Sequence, residues 1–196
     1  MPNTSATGGY LVPLNTVDED VTLRRYLHSV IAGITGIDST LVRAGFQKNP
    51  PKMPEADVGW VAYYELSRKA DNLPQLVYKD ETSYSLTRIE RLTYLCSFYG
   101  DNSQLNAYNF RDGLYVSQNR ENMLVNGFVL FEVDDGTYFP QLVNNIYIQR
   151  TDIKFSFDRV VQRDYAILDL LSMQAGISVQ TSAEELQVIE VSTTGS

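Results

Sequence analysis

One histidine, His28, and one cysteine, Cys96, are the whole stock of imidazole and thiol in this 196-residue chain. A disulfide within the chain is therefore excluded, and a Cys/His zinc site nearly so. Any Ser-His-Asp or Cys-His arrangement has to use His28. That residue follows Leu27 in a helical pattern, where a packing or surface role is the plainer reading. Cys96 stands between aromatic residues in a strand pattern, the setting of a buried, inert thiol. No P-loop signature occurs, and no G-x-G-x-x-G follows a strand. Gly33-Ile34-Thr35-Gly36 sits at a helix end, where capping accounts for it, and there is no G-x-S-x-G elbow. Paired carboxylates can hydrolyse glycosides, but with 24 acids chance pairs are unavoidable. Asp134-Asp135 is expected in a hairpin turn and Asp101 at a helix cap. The residues favour a protein that is not an enzyme and needs no cofactor. A hydrolase built on Asp/Glu pairs is the rival, and it requires a deep pocket with shifted carboxylates.

Charge narrows the choice further. Acids outnumber Lys and Arg by 24 to 16, for a net charge of −8. Nucleic-acid binders are usually basic, so a DNA-coating role is disfavoured. The excess is concentrated late: residues 128–196 hold 10 acids and 4 bases, and no Lys or Arg follows Arg163. That segment is either a solvated edge and tail or a surface that repels a polyanion. No run of 18 apolar residues marks a membrane span. The start, Met1-Pro2-Asn3-Thr4-Ser5, lacks the pattern of a signal peptide, so synthesis and folding in the cytoplasm are expected.

Apolar residues make up 43% of the chain, enough to fill a core. Residues 1–16, with Gly8-Gly9 and Pro13, read as an extended arm. Thr16-Val17-Asp18-Glu19 fits a capping box. Leu23, Leu27, Val30, Ile31 and Ile34 then form one apolar stripe of a helix ending near Thr35, with Gly36 as its stop. Three prolines within 44–57 predict a stiff, extended connector. A strand is expected over 58–66, with Trp60, Ala62, Tyr64 and Leu66 on one face, closed by the turn Asp71-Asn72-Leu73-Pro74. A second covers about 83–98, with Leu92, Tyr94, Cys96 and Phe98 alternating. Asp101 is placed to cap a helix through about 115, with Leu105, Tyr108 and Asp112 on one side. A short helix follows at about 119–125.

The last third looks like sheet. Phe128–Val133 is a strand followed by an Asp134-Asp135-Gly136 turn. Ile146 and Ile148 occupy one parity and Ile153, Phe155 and Phe157 the other, which predicts a bulge or bend near Arg150-Thr151. Tyr165 to about Met173 is expected to return as a paired strand, and Leu186–Val191 is strand-like. Thr151–Arg163 alone would span roughly 43 Å, against a radius of gyration near about 16 Å for a domain of this size. Such a hairpin bends or reaches a neighbour. The 13 Tyr suit either half-buried sheet positions or a subunit interface. The order predicts an α+β fold: a mixed, mainly antiparallel sheet with helices packed on one face. Its parts are an arm (1–16), a domain (17–178) and an acidic tail (179–196).

Several segments, in matching order and spacing over about 30–175, carry a resemblance. They are Ile34-Thr35-Gly36-Ile37 with Val42-Arg43; Gln47-Lys48-Asn49-Pro50-Pro51 with Pro54; Trp60-Val61-Ala62-Tyr63; Ser97-Phe98-Tyr99-Gly100; Arg111-Asp112-Gly113-Leu114 then Gln118-Asn119-Arg120; Pro140-Gln141-Leu142-Val143-Asn144; and Arg150-Thr151-Asp152 with Arg159. As a set they resemble the tail terminators of contractile-tailed bacteriophages. No catalytic motif comes with the resemblance. Pro50, Pro51, Trp60, Phe98, Tyr99, Gly100, Arg111, Asp112, Asn119 and Arg120 are expected to be structural.

The resemblance implies a virion protein of the neck, a hexameric ring that caps the tail tube and stops its growth. Such a ring meets the tube protein, the sheath protein and a head-completion protein, and genome DNA passes through it without specific binding. Six copies at −8 would carry about −48, which suits a bore that DNA must not stick to. Ring contacts are head-to-tail, so two different faces of one subunit must match. A hairpin at about 146–175 is expected to make ring or tube contacts, with Tyr147, Arg150, Asp152, Lys154, Arg159 and Arg163 as candidate interface residues. Asp164, Asp169, Glu184, Glu185 and Glu190 are candidates to face the channel or a partner; alternatively Leu186–Val191 adds as an edge strand to a neighbour. The other readings are a different neck or tail component (a head–tail stopper, collar or tube protein) and a generic binding module sharing only the fold.

Overall fold

The computed structural model describes residues 3–80, 82–143 and 145–167, and the backbone of 172–179 and 187–194. Three helices, α1 (Asp20–Thr35), α2 (Ser103–Gly113) and α3 (Ser117–Val125), pack on one face of a seven-stranded sheet. The strands are β1 (Val42–Ala44), β2 (Trp60–Ala70), β3 (Gln75–Asp80), β4 (Ser83–Tyr99), β5 (Phe128–Val133), β6 (Thr137–Val143) and β7 (Ile146–Tyr165). All pairings in this sheet are antiparallel except β1 with β2. The expected α+β class, with its mixed, mainly antiparallel sheet, is what the chain adopts.

Two long strands organise everything else. β4 and β7 pair without a break from Tyr84↔Tyr165 to Tyr99↔Arg150. Short strands flank them in line: β2 and β3 share the free side of β4, and β6 and β5 share the free side of β7. The arm continues that line. The Leu14 amide donates to the Asp164 carbonyl (2.7 Å), the Asn15 side chain to the Gln162 carbonyl (3.0 Å) and the Ser5 amide to the Ala166 carbonyl (3.1 Å). Residues 5–15 thus occupy the edge of β7 that β5 leaves open.

The core follows the stripes. Leu23, Leu27 and Ile31 of α1 meet Val61 and Tyr63 of β2, Leu92, Tyr94, Cys96 and Phe98 of β4, and Ile153, Phe155 and Phe157 of β7. Phe110 of α2 locks into this layer, edge-on to Phe155 at 5.2 Å and tilted on Phe98 at 5.7 Å. In β2 the helix-facing residues are Val61 and Tyr63. The alternation Trp60, Ala62, Tyr64 lies on the other face, and a bulge between Glu65 and Ser67 leaves Leu66 exposed.

Several expectations need correction. The hairpin at about 146–175 does not form, because residues 146–165 are one strand and β8 (Ser172–Val179) pairs with β9 (Gln187–Thr194) instead. Tyr165 ends β7 and Ser172–Met173 begin β8, with 168–171 outside the described residues, and 187–191 of the strand-like segment already has a partner in its own chain. No bulge interrupts β7 at Arg150-Thr151; its pairing with β4 and β6 runs through unbroken. The apparent parity change arises because Ile148 is buried on the helix-free face and Ile153 on the other. The irregularity lies in β5, between Leu130 and Glu132.

Asp134-Asp135-Gly136 is not a hairpin turn, since β5 and β6 both pair with β7 and not with each other. Neither predicted cap operates: α1 begins after Glu19 and α2 after Asn102, each without a side-chain cap bond. In α2 the buried side is Ser103, Ala107 and Phe110, not Leu105 and Asp112. The short strands β1, β3 and β6 were unforeseen.

Candidate functional site

Trp60, Tyr99 and Arg150, far apart in sequence, lie side by side on the helix-free face of the sheet. Pairing puts Trp60 opposite Tyr99, Tyr99 opposite Arg150, and Arg150 opposite Phe139, so β2, β4, β7 and β6 each place one residue in a single row. The Trp60 and Tyr99 rings stack at 4.3 Å, 8° from parallel. The Arg150 guanidinium lies 5.5 Å from the Tyr99 ring and 4.8 Å from Phe139, and Arg43 of β1 closes the row 5.6 Å over Trp60. Arg150 is held in plane by two bonds donated to Asp152 (2.7 and 2.8 Å) and one to Ser97 (3.1 Å). Burial alone would lower its pKa; the hydrogen bonds to Asp152 outweigh that and raise it. The next residue after Tyr99 has to be glycine. Gly100 has φ +90°, and a Cβ there would lie 2.6 Å from the Val58 carbonyl oxygen.

The helix-facing side carries a second cluster beyond the end of α1. Arg159, 5% exposed, donates to Glu90 (2.9 and 3.2 Å), to Glu19 (2.8 Å) and to the Asp18 carbonyl (2.7 Å). Arg68 donates to both oxygens of Glu65 (3.0 Å each) and to Glu19, which Arg163 approaches at 3.4 Å. Three carboxylates face three guanidiniums, so the cluster is neutral and each charge has a partner. Burial pushes Glu19 up, but the bonds from Arg68 and Arg159 prevail and hold it below the usual carboxylate range. Hydrogen bonds to Glu65, then to Glu19, hold Arg68 above its ordinary value. These bonds explain why Glu19 leaves its cap position unfilled. Charge-assisted bonds to two arginines outweigh one bond to a helix amide.

The candidate interface and channel residues divide sharply. Arg150 and Asp152 bond each other, Lys154 reaches Asp134 (2.8 Å), and Arg159 and Arg163 belong to the neutral cluster. Tyr147 is free at 70% exposure. Asp164 is nearly buried; it accepts from Lys79, Ser85 (2.6 Å) and Gln162 (3.3 Å), and these bonds lower its pKa to about 2. Asp169, Glu184 and Glu185 lie outside the described residues, and of Glu190 only the backbone is described. Four of the ten late acids, Asp134, Asp152, Asp158 and Asp164, are thus neutralised within the subunit.

The other motif residues hold turns and layers. Asn119 donates to the Gly113 carbonyl (2.8 Å) and joins α3 to α2. Arg111 pairs with Asp112 (2.9 Å) and lies 5.0 Å over the Tyr108 ring. Phe98 is wholly buried, while Arg120, Pro50 and Pro51 are exposed. His28 meets the Ser39 carbonyl at 2.9 Å, and burial pushes the Cys96 thiol well up. Among the described residues no group of three His, Cys, Asp or Glu is placed to hold a metal ion, and no helix is long and apolar enough to cross a membrane. Sequence reasoning missed the Glu19–Arg68–Glu90–Arg159 cluster. Its only linear trace is Glu90 and Arg159 at helix-facing positions of strands.

Interlocked cross-strand rows and ion pairs closed within the chain build a sheet with helices on one face and none on the other. The chain belongs to the phage neck terminator protein family, whose pattern matches residues 21–185. It is a structural component of the phage neck and tail, associated in the virion with other head and tail parts. No curated protein matches the chain.

Proposed function

We propose that this protein forms a ring, of six copies, that caps the tail tube, ends its growth and joins the tail to the head-completion proteins while leaving a channel for DNA. The observation that carries this reading is the family match over 21–185, which takes in the whole seven-stranded sheet and the helices but for the first residue of α1. The helix-free face supports it. Ile89, Val129, Phe131 and Val160 are exposed there around the Arg91–Asp158 ion pair, and exposed large apolar side chains grouped on one face suit a contact region. In a contractile tail the same ring touches the last sheath ring. The acidic segment 179–196, with Asp169, faces the channel or a partner, and its negative charge keeps DNA moving.

Electron microscopy of particles made without the protein tests the reading. Overlong or headless tails are expected. Fully joined virions of normal length would refute it, and a ring of different copy number joined only to the head would point to a stopper.

A further inference from the structure

Most cations of this chain are already paired inside it, which makes the exceptions informative. Of the 16 Lys and Arg side chains, ten form ion pairs within the chain. Arg24 and Arg25 do not. They are adjacent on α1, both exposed, and neither has an ion pair among the described residues, Asp20 one turn earlier included. With Val21, His28 and Tyr63 they line a groove of about 320 Å³. His28 meets the Ser39 carbonyl at 2.9 Å and the Tyr63 hydroxyl donates to the Arg24 carbonyl (2.8 Å), so the groove is fixed against the β1–β2 margin of the sheet. Two unpaired guanidiniums beside Val21 and the Tyr63 ring suit a segment that brings carboxylates.

The opposite margin of the sheet carries the opposite charge. From the end of β5 to the start of β6 the chain runs Glu132-Val133-Asp134-Asp135-Gly136. Asp134 bonds Lys154 (2.8 Å), but Glu132 and Asp135 are exposed and have no ion pair among the described residues. Arg111, which reaches the Asp135 carbonyl, already holds Asp112. The groove and this segment lie at one level of the sheet. Tyr63 pairs with Cys96, Cys96 pairs with Ile153, and the Asp134 amide donates to the carbonyl of the next residue, Lys154 (2.8 Å). The order β1-β2-β4-β7-β5 sets them at the two ends of that row, and four strand spacings amount to about 19 Å. One copy therefore cannot join them, whereas a neighbour set edge to edge can.

We propose that in the ring the Arg24–Arg25 groove of one copy receives the Glu132–Asp135 segment of the next. This rests on the ring reading above and names its two faces. A head-to-tail contact requires two different surfaces that match each other. Opposite charges at opposite edges and at one level fix which edges meet and in what register.

Two charge-reversed chains test it, Arg24→Glu with Arg25→Glu and Glu132→Lys with Asp135→Lys. All four positions are exposed and outside the ion pairs of the subunit. Each full chain is supplied to tails made without the protein, and rings are counted by electron microscopy. Either chain alone is expected to lose rings, since like charges then meet at every contact. An equal mixture of the two is expected to recover them, because a ring of even copy number can alternate the chains and pair opposite charges throughout. A normal ring yield from either chain alone would overturn the inference. Loss without recovery in the mixture would overturn it too, and would assign the groove to a different acidic partner. Both results leave the ring reading standing, whereas the absence of any ring from the native chain would remove both.

Discussion

Replacing Arg159 with methionine tests whether the cluster at the end of α1 holds the subunit together or serves a neighbour. Methionine matches the aliphatic stem and removes the guanidinium. Glu90, whose side chain is 9% exposed, then keeps only Arg68, at 3.8 Å, and the Asp18 carbonyl loses its donor. Stripping one partner from a buried ion pair costs about 3–5 kcal/mol. For a domain of this size each kcal/mol lowers Tm by about 2–4 °C, so Tm should fall by about 6–20 °C. Thermal or urea unfolding of the isolated chain measures this. Glu90→Met in the same background removes the stranded carboxylate and should recover most of the loss, since apolar replacement of a whole buried pair is often neutral. A fall below about 1 kcal/mol, or no recovery in the double variant, would refute the reasoning. Unchanged stability with failed assembly would return Arg159 to the interface role its sequence position suggested.

Other outcomes follow from single contacts. Asp164 has a folded pKa of about 2, below its unfolded value near about 4. Between those pH values the unfolded chain binds more protons, so its stabilising effect is present above the unfolded pKa and is lost as pH falls toward the folded one. Tm measured from pH 5 to 2 should fall less steeply in Asp164→Asn. Gly100→Ala places a Cβ 2.6 Å from a backbone oxygen at positive φ, and should cost at least about 1–3 kcal/mol by urea unfolding. Phe110→Ala opens a cavity among Phe98 and Phe155 and should cost about 3–5 kcal/mol by the same assay.

Periodicity placed α1 and β4 within a few residues, because each buries one regular stripe, and α1 ends at Gly36, whose backbone preference is local; α3 and β5, each with a single buried residue, were bounded by the turn signal Asn126-Gly127 between them. The resemblance likewise picked out Trp60, Tyr99, Gly100 and Arg150 without showing that three of them form one row. Cross-strand neighbours are set by register between segments, and nothing in the linear spacing of 60, 99 and 150 encodes that register. The same limit explains the failed caps. Thr16–Glu19 is a sound capping pattern by itself, but Arg68 and Arg159 arrive from remote strands and take the Glu19 carboxylate.

Composition by itself determined that the chain can fill a core and holds one His and one Cys, and the order of its residues determined the α+β class and a negative charge concentrated late in the chain. Tertiary structure decided which of those charges are still available. Lys79 of β3 reaches Asp164 across β4, Arg91 of β4 meets Asp158 on β7, and Lys154 of β7 meets Asp134 just past β5, while Arg150 and Asp152 pair two residues apart along β7 itself. It also decided which surfaces remain open to a partner. An uncharged stretch is visible in the sequence, but only the place where β4 stops leaves residues 140–143 and 146–149 paired with each other alone.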